Sequence, residues 1–389
     1  MKLALFLIII CLTSCTFLIQ ETIGRKVVSE KYPKIMNSGT IFTFTIPFTF
    51  VNGSPCISVK INDLDSSYHF IFDTGSFTYV SENIIEEKTN LNRQTYDSNG
   101  KGSNTYDVEL NKIYFNNFCF NNIKIKSLKD FKLENIDGVL GVDFMIGKVF
   151  YFDLKNQLLT ISNKNIPIKT KTDNIYESKL YKSWDNRFYI KEDIFNRNEK
   201  LFFDTGCNTF IYLNDENLVD FKEGKSYLKQ SQGAFSSSYV IRNYYDIDSM
   251  ELFEIQFHDL TIQSNEKNVF GAGVFSKMDI KIDFIKNRLF FYNNKELIFF
   301  EKETPNSEIV LGWDNFLYIK EIEVNAFSRT NLLPGDKIIS IDNNKVPDKL
   351  NDLILYIKNE ASKSKYVFEI QRGDSVFTCE IDRKLLIQK

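Results

Sequence analysis

Asp-Thr-Gly occurs twice in this 389-residue chain, each time at the end of an apolar run. The first run is His69-Phe70-Ile71-Phe72-Asp73-Thr74-Gly75-Ser76; the second is Leu201-Phe202-Phe203-Asp204-Thr205-Gly206-Cys207. Average residue usage places one such tripeptide by chance in roughly one chain in ten of this length, so a single copy says little. Two copies in matching contexts constrain the fold strongly. A buried strand that ends in a carboxylate, a hydroxyl and a glycine holds an acid at the tip of a rigid element. Two such strands can bring two acids face to face, and carboxylates that close share a proton.

The surroundings of the two sites repeat as well. Asp137-Gly138-Val139-Leu140-Gly141 and then Tyr151-Phe152-Asp153-Leu154 follow the first site; Asn268-Val269-Phe270-Gly271 and then Lys281-Ile282-Asp283-Phe284 follow the second. Asp73 to Gly141 is 68 positions and Asp204 to Gly271 is 67, while Gly141 to Asp153 and Gly271 to Asp283 are both 12. Between these markers each half carries a polar, glycine-bearing stretch followed by alternating apolar residues. These are Asn99-Gly100-Lys101-Gly102-Ser103 before Val108–Ile113, and Gln232-Gly233-Ala234-Phe235-Ser236 before Met250–Phe253. Period-two alternation beside turn residues predicts β-hairpins. The expectation is a mainly β chain with two lobes related by an approximate two-fold axis.

This pattern resembles the pepsin/retropepsin superfamily of aspartic peptidases, in a single-chain two-lobe form. Asp73-Thr74-Gly75-Ser76 matches the family's active-site motif, Asp137–Gly141 is similar to the segment that packs behind the catalytic loop, and Gly100-Lys101-Gly102-Ser103 resembles the tip of its substrate-covering flap. The resemblance covers about residues 40 to 295. It implies a bilobal aspartic-peptidase β-barrel fold with pseudo-two-fold symmetry, lobes at 39–165 and 166–298, and hydrolysis of protein or peptide substrates without metal or cofactor. It further implies Asp73 and Asp204 as the catalytic pair. Thr74, Gly75, Ser76, Thr205, Gly206 and Cys207 would support them, and Gly100, Gly102 and Gly233 would lie in flaps. In the family, the two threonines lock the loops across the lobe interface. Cys207 departs from the Ser or Thr of many members. Asn99 stands where many have a flap tyrosine, for which Tyr96 and Tyr106 are the neighbouring candidates.

Rival chemistries lack their residues. The chain has two histidines: His69, read as a packed strand residue, and His258, placed in a turn. Neither a Gly-x-Ser-x-Gly elbow nor a His-Glu-x-x-His motif occurs. Asp137, Asp153 and Asp283 read as turn or strand-end residues. The 36 Phe and 19 Tyr, spread along predicted strands, are core material, and a net charge of −3 argues against a nucleic-acid partner.

The N-terminus joins Lys2 to the apolar run Leu3–Ile10 and ends Leu12-Thr13-Ser14-Cys15. It resembles a bacterial lipoprotein signal box. That implies a signal at 1–14, a lipid on Cys15, a tether over 15–38, and an exported protein anchored to a membrane in the cell envelope or periplasm; a plain signal peptide is the alternative. Cys56, Cys119, Cys207 and Cys379 are too scattered for a disulfide-built scaffold, with a Cys56–Cys119 bridge the one pairing considered.

Past residue 299 the repeat stops. A strand at Phe316–Ile322, the sequence Leu332-Leu333-Pro334-Gly335-Asp336-Lys337-Ile338, a helix with Leu350, Leu353, Ile354 and Ile357 on one face, and a closing hairpin follow. This order resembles a bacterial PDZ domain, a small α+β unit expected over 299–389. The resemblance implies capture of a peptide C-terminus by strand addition, with Leu311, Gly312 and Trp313 as the carboxylate loop. Two rivals to a peptidase are a catalytically inactive peptide-binding lipoprotein and a structural scaffold.

Overall fold

Alternation along the strands sets the architecture. The computed structural model describes residues 41–386 except 63, 86–92, 130, 132, 134, 168–173, 222–223, 234–235, 294–296, 301–303, 314, 348 and 361. The expected signal at 1–14, Cys15 and the tether to residue 38 lie outside the described residues. Strands hold 56% of the described residues and helices 12%, so the chain is mainly β, as expected. The long strand Gly102–Phe115 shows why: every second side chain is buried over much of its length. It turns at Asn116-Asn117 into Phe118–Leu128, with Phe115 opposite Phe118. Asn116 takes a φ of +55° there, a conformation that asparagine tolerates better than most residues.

The repeat read in the sequence recurs in sheet topology. In the first half the strand order is Thr49–Val51, Ser54–Ile61, Tyr68–Phe72, Gly138–Leu140, Tyr79–Ser81, Phe118–Leu128, Gly102–Phe115, Arg93–Tyr96. In the second it is Tyr181–Lys182, Phe188–Ile194, Arg197–Asp204, Val269–Gly271, Ile211–Leu213, Ile255–Ser264, Ser237–Leu252, Ser226–Gln232. Pairing senses agree too. The strand before each Asp-Thr-Gly runs parallel to the strand ending at Leu140 or Gly271, and that strand is antiparallel to Tyr79–Ser81 or Ile211–Leu213.

A six-stranded antiparallel sheet joins the halves, three strands from each. At its centre Val149–Asp153 pairs with Asp279–Asp283, from Val149 opposite Asp283 to Phe152 opposite Ile280. One apolar cluster runs through both halves. Phe150 meets Phe284 and Phe152 meets Phe275 edge to face, with ring centroids 5.9 and 4.9 Å apart.

The C-terminal region forms its own core around Ile319, Ile322, Ile338, Leu353, Ile357 and Phe368. Its elements are strands Ile309–Trp313, Leu317–Glu323, Lys337–Ile341, Lys365–Arg372 and Ser375–Asp382, and helices Val324–Thr330, Leu350–Asn359 and Arg383–Leu386. The Leu-x-Pro-Gly-Asp segment is a locked turn. Gly335 sits at φ +91°, and the buried Asp336 carboxylate accepts from Leu333 N and from Arg372 Nε and Nη2. This unit is not suspended on a linker: Tyr227, Leu228 and Lys229 pair with Glu323, Ile322 and Glu321, so its sheet continues the second half's sheet.

Several readings are corrected. No disulfide joins Cys56 and Cys119; Cys56 packs in a small core with Ile71 and Val139, whereas Cys119 sits just past the Asn116-Asn117 turn and faces Asn121. His69 is exposed, not packed, because the inward positions of its strand belong to Phe70 and Phe72. His258 lies in the strand Ile255–Ser264, stacked on Phe299. Leu311-Gly312-Trp313 is not a loop but the end of the strand Ile309–Trp313, paired with Leu317–Ile319. The three other aspartates behave as expected. Asp137 accepts from His69 N, Asp153 from Asn156 N, and Asp283 from Ile285 and Lys286 N.

Candidate functional site

Each Asp-Thr-Gly is a tight turn at the open end of its strand. Gly75 N donates to Asp73 Oδ1 at 2.7 Å, and Gly206 N to Asp204 Oδ1 at 3.0 Å. Behind the turns, Asp73 N donates to Leu140 O and Val142 N to Ser76 O. In the second half, Gly271 N donates to Phe210 O and Ala272 N to Cys207 O. A Cβ on Gly141 would lie 2.2 Å from Phe77 C, and one on Gly271 2.3 Å from Thr209 O. Only glycine fits in either place.

The threonines interlock the turns. Thr74 N donates to Thr205 Oγ1 and Thr205 N to Thr74 Oγ1, both at 3.0 Å. Thr74 Oγ1 donates to Phe203 O and Thr205 Oγ1 to Phe72 O, both at 2.7 Å. All four bonds cross between the halves and both side chains are fully buried. A fifth crossing bond runs from Ser54 Oγ to Gly206 O.

This interlock sets the two carboxylates against each other. A Cβ built on Gly75 would stand 2.7 Å from the Asp204 carboxylate, and one on Gly206 2.5 Å from that of Asp73. Each acid therefore occupies the space that the other turn's glycine leaves open. Burial pushes the Asp73 carboxyl well above the usual carboxylate range, and the neighbouring Asp204 charge pushes it further. Asp204 is also raised by burial, but a hydrogen bond from Asp73, the amides of Gly206 and Cys207 and the Arg187 charge oppose the rise. Both carboxyls are raised and the pair titrates as a unit, sharing one proton.

Ser76 and Cys207 flank the pair, and Cys207 reaches Asp204 through its amide. Ser76 Oγ donates to Phe77 O. The Cys207 thiol is pushed up to about 12, first by burial and then by the Asp204 charge, so it stays a neutral thiol.

The two hairpins meet tip to tip. Asp97 Oδ1 accepts from Asn99 N and Lys101 N, which shapes the first tip around Gly100 at φ +75°. Its Oδ2 accepts from Ser236 Oγ of the other hairpin at 2.5 Å. Asn99 Nδ2 donates to Ser231 O and Ser236 O at 3.1 and 3.2 Å. Gly233 makes this approach possible, since a Cβ there would stand 2.3 Å from Asp97 Oδ2. Gly102 lies beside the Tyr96 ring.

Tyr96 is 63% exposed and donates outward to Gln94, and Tyr106 lies on the strand Gly102–Phe115 away from the tip. The aromatic that ties the first hairpin to the acid-bearing loop is Tyr79, which sequence reasoning missed. Its ring is buried, its hydroxyl lies 3.1 Å from Thr95 Oγ1, and Asp73 lies close enough to act on its titration. Its position four residues past Gly75 was the only sequence signal. Asp97, Ser236 and Glu321 were missed as well; no local pattern marks them. Models of known protein families and the sequences of curated proteins give no match to this chain.

Proposed function

We propose that this chain is an aspartic endopeptidase with the single-chain, two-lobe fold of the pepsin/retropepsin type and a C-terminal PDZ unit. One observation carries the reading: two identical turns, locked by reciprocal threonine bonds, set Asp73 and Asp204 over each other's glycine. The chemistry follows from the proton they share. A water between the carboxylates loses a proton to the ionised acid of the pair, while its oxygen bonds to the carbonyl carbon of the scissile peptide. The protonated acid gives its proton to the carbonyl oxygen. Collapse of the tetrahedral species breaks the C–N bond, the leaving nitrogen takes the proton that the first acid gained, and a diol proton returns to the second. No covalent intermediate and no metal enters these steps. The interlock serves them by holding the acids in place without reorganisation.

The substrates proposed are proteins or peptides. For the PDZ unit, support comes from Ile309–Trp313: among the described residues this strand pairs only with Leu317–Glu323, which leaves an edge for an added peptide strand. Gly312 fits there because a Cβ would strike the Tyr318 ring. The N-terminal sequence supports export and lipid attachment at Cys15 in a bacterial cell envelope.

Turnover of an internally quenched peptide library by the full chain tests the proposal. Asp73→Asn and Asp204→Asn each lower hydrolysis by at least about 10³-fold in chains that stay folded by circular dichroism. Hydrolysis retained in both variants rules the pair out.

A further inference from the structure

The two hairpins differ in what lies behind them. Arg93–Tyr96 ends its sheet, and among the described residues it pairs only with Gly102–Phe115. Its counterpart Ser226–Gln232 is an interior strand, with Ser237–Leu252 on one side and Leu317–Glu323 of the C-terminal unit on the other. Leu228 packs against the C-terminal core. Glu321 is buried at this junction. It accepts a hydrogen bond from the Tyr244 hydroxyl and lies 3.6 Å from Lys229 Nζ, which donates to Gln263 Oε1 at 3.2 Å. Tyr227, fully buried, directs its hydroxyl at Ser307 O and Pro305 O and sets its ring edge-on to Tyr244. A buried carboxylate held by a hydroxyl and an ammonium fixes both donors, because releasing either leaves a buried group short of a partner. Lys229 in turn lies near enough to bear on the Cys207 thiol, next to Asp204.

We infer that the C-terminal unit is a working part of the roof over the two acids. It fixes the hairpin Ser226–Leu252, and Glu321 is a positioning residue that acts through Tyr244 and Lys229. The inference rests on the peptidase reading and goes beyond recruitment. A unit that only recruits substrate needs no shared sheet with the enzyme and no buried ion pair with its hairpin; a flexible linker suffices. Anchoring one hairpin leaves Arg93–Phe115 as the one that opens. The anchored hairpin then serves as the fixed jaw against which the Asp97–Ser236 contact closes.

Two readouts on the full chain test this. The first is hydrogen–deuterium exchange across 226–252 without substrate, for wild type, Glu321→Ala, Glu321→Gln and Tyr244→Phe. The second is steady-state hydrolysis of a short internally quenched peptide with both termini blocked, which the PDZ edge has no carboxylate to hold. Glu321→Ala is expected to speed exchange across 226–252 about tenfold, with 102–128 unchanged, and to raise KM about tenfold with kcat nearly kept. Tyr244→Phe does the same to a lesser degree and guards against misfolding of the alanine variant. Glu321→Gln, which still accepts from Tyr244, recovers most of the effect. A variant that is merely destabilised loses kcat through a smaller active fraction at unchanged KM. That result overturns the inference, as does unchanged exchange. If the wild-type chain hydrolyses nothing, the peptidase reading falls with it; faster exchange then still supports the anchoring, and unchanged exchange overturns it.

Discussion

At the scale of single residues, the site depends on two threonines more than its chemistry suggests. Neither has a part in the proposed proton transfers, yet each hydroxyl donates to the other half's backbone and accepts from the other threonine's amide. Thr74→Ala deletes one hydroxyl and leaves the Phe203 carbonyl and the Thr205 amide buried without that partner. The expected loss is roughly 2–4 kcal/mol of stability, read by urea unfolding. Thr205→Ala is expected to match it, because the pattern is reciprocal. Thr74→Ser retains most of the stability. A loss under about 0.5 kcal/mol in both alanine variants would contradict the interlock. Asp73, Asp204, both threonines and the paired glycines were legible in the sequence, since each belongs to a short motif whose geometry is local. Cys207 was legible as a departure. Its elevated thiol explains how it coexists with the acids: it brings no charge to the site.

At the scale of elements, the strands around each Asp-Thr-Gly were readable from alternation and spacing, and so was the helix Leu350–Asn359. The contacts between elements were not. Asp97 and Ser236 are 139 positions apart, and Tyr244 and Glu321 are 77 apart. Sheet pairing that distant leaves no periodic trace. The PDZ resemblance puts Leu311-Gly312-Trp313 in a loop, whereas these residues end a paired strand and the glycine makes room for Tyr318. The tip contact carries its own prediction. Ser236→Ala removes the hydroxyl that reaches Asp97, and a charge-assisted bond at a partly buried site makes a roughly three- to tenfold rise in KM the expected outcome, with kcat little changed. Steady-state kinetics on a quenched peptide checks it, and an unchanged KM would mean that the tips do not close on substrate.

At the scale of the whole molecule, the duplicated sheet order and the six-stranded sheet between the halves explain why two separate strands deliver their acids to one point. Each half supplies one turn, and the central register of Val149–Asp153 on Asp279–Asp283 holds the halves together. The same arrangement makes the pair sensitive to pH in a stated direction. Burial raises both carboxyls above the usual carboxylate range, so at these two groups the folded chain holds more protons than the unfolded one through that window. The pair's own contribution to stability is therefore fullest below the ordinary carboxylate pKa and is lost as pH rises through the folded values. The proposed reaction needs one proton on the pair, so its predicted window shifts above the ordinary carboxylate range. The measurement that bears most directly on the central claim is kcat/KM against pH for the full chain on a quenched peptide, from acid to neutral, with Asp73→Asn alongside. The account predicts a bell with its acid limb at or above the usual carboxylate pKa and no activity in the variant. A flat profile, or a bell that survives in Asp73→Asn, would contradict it.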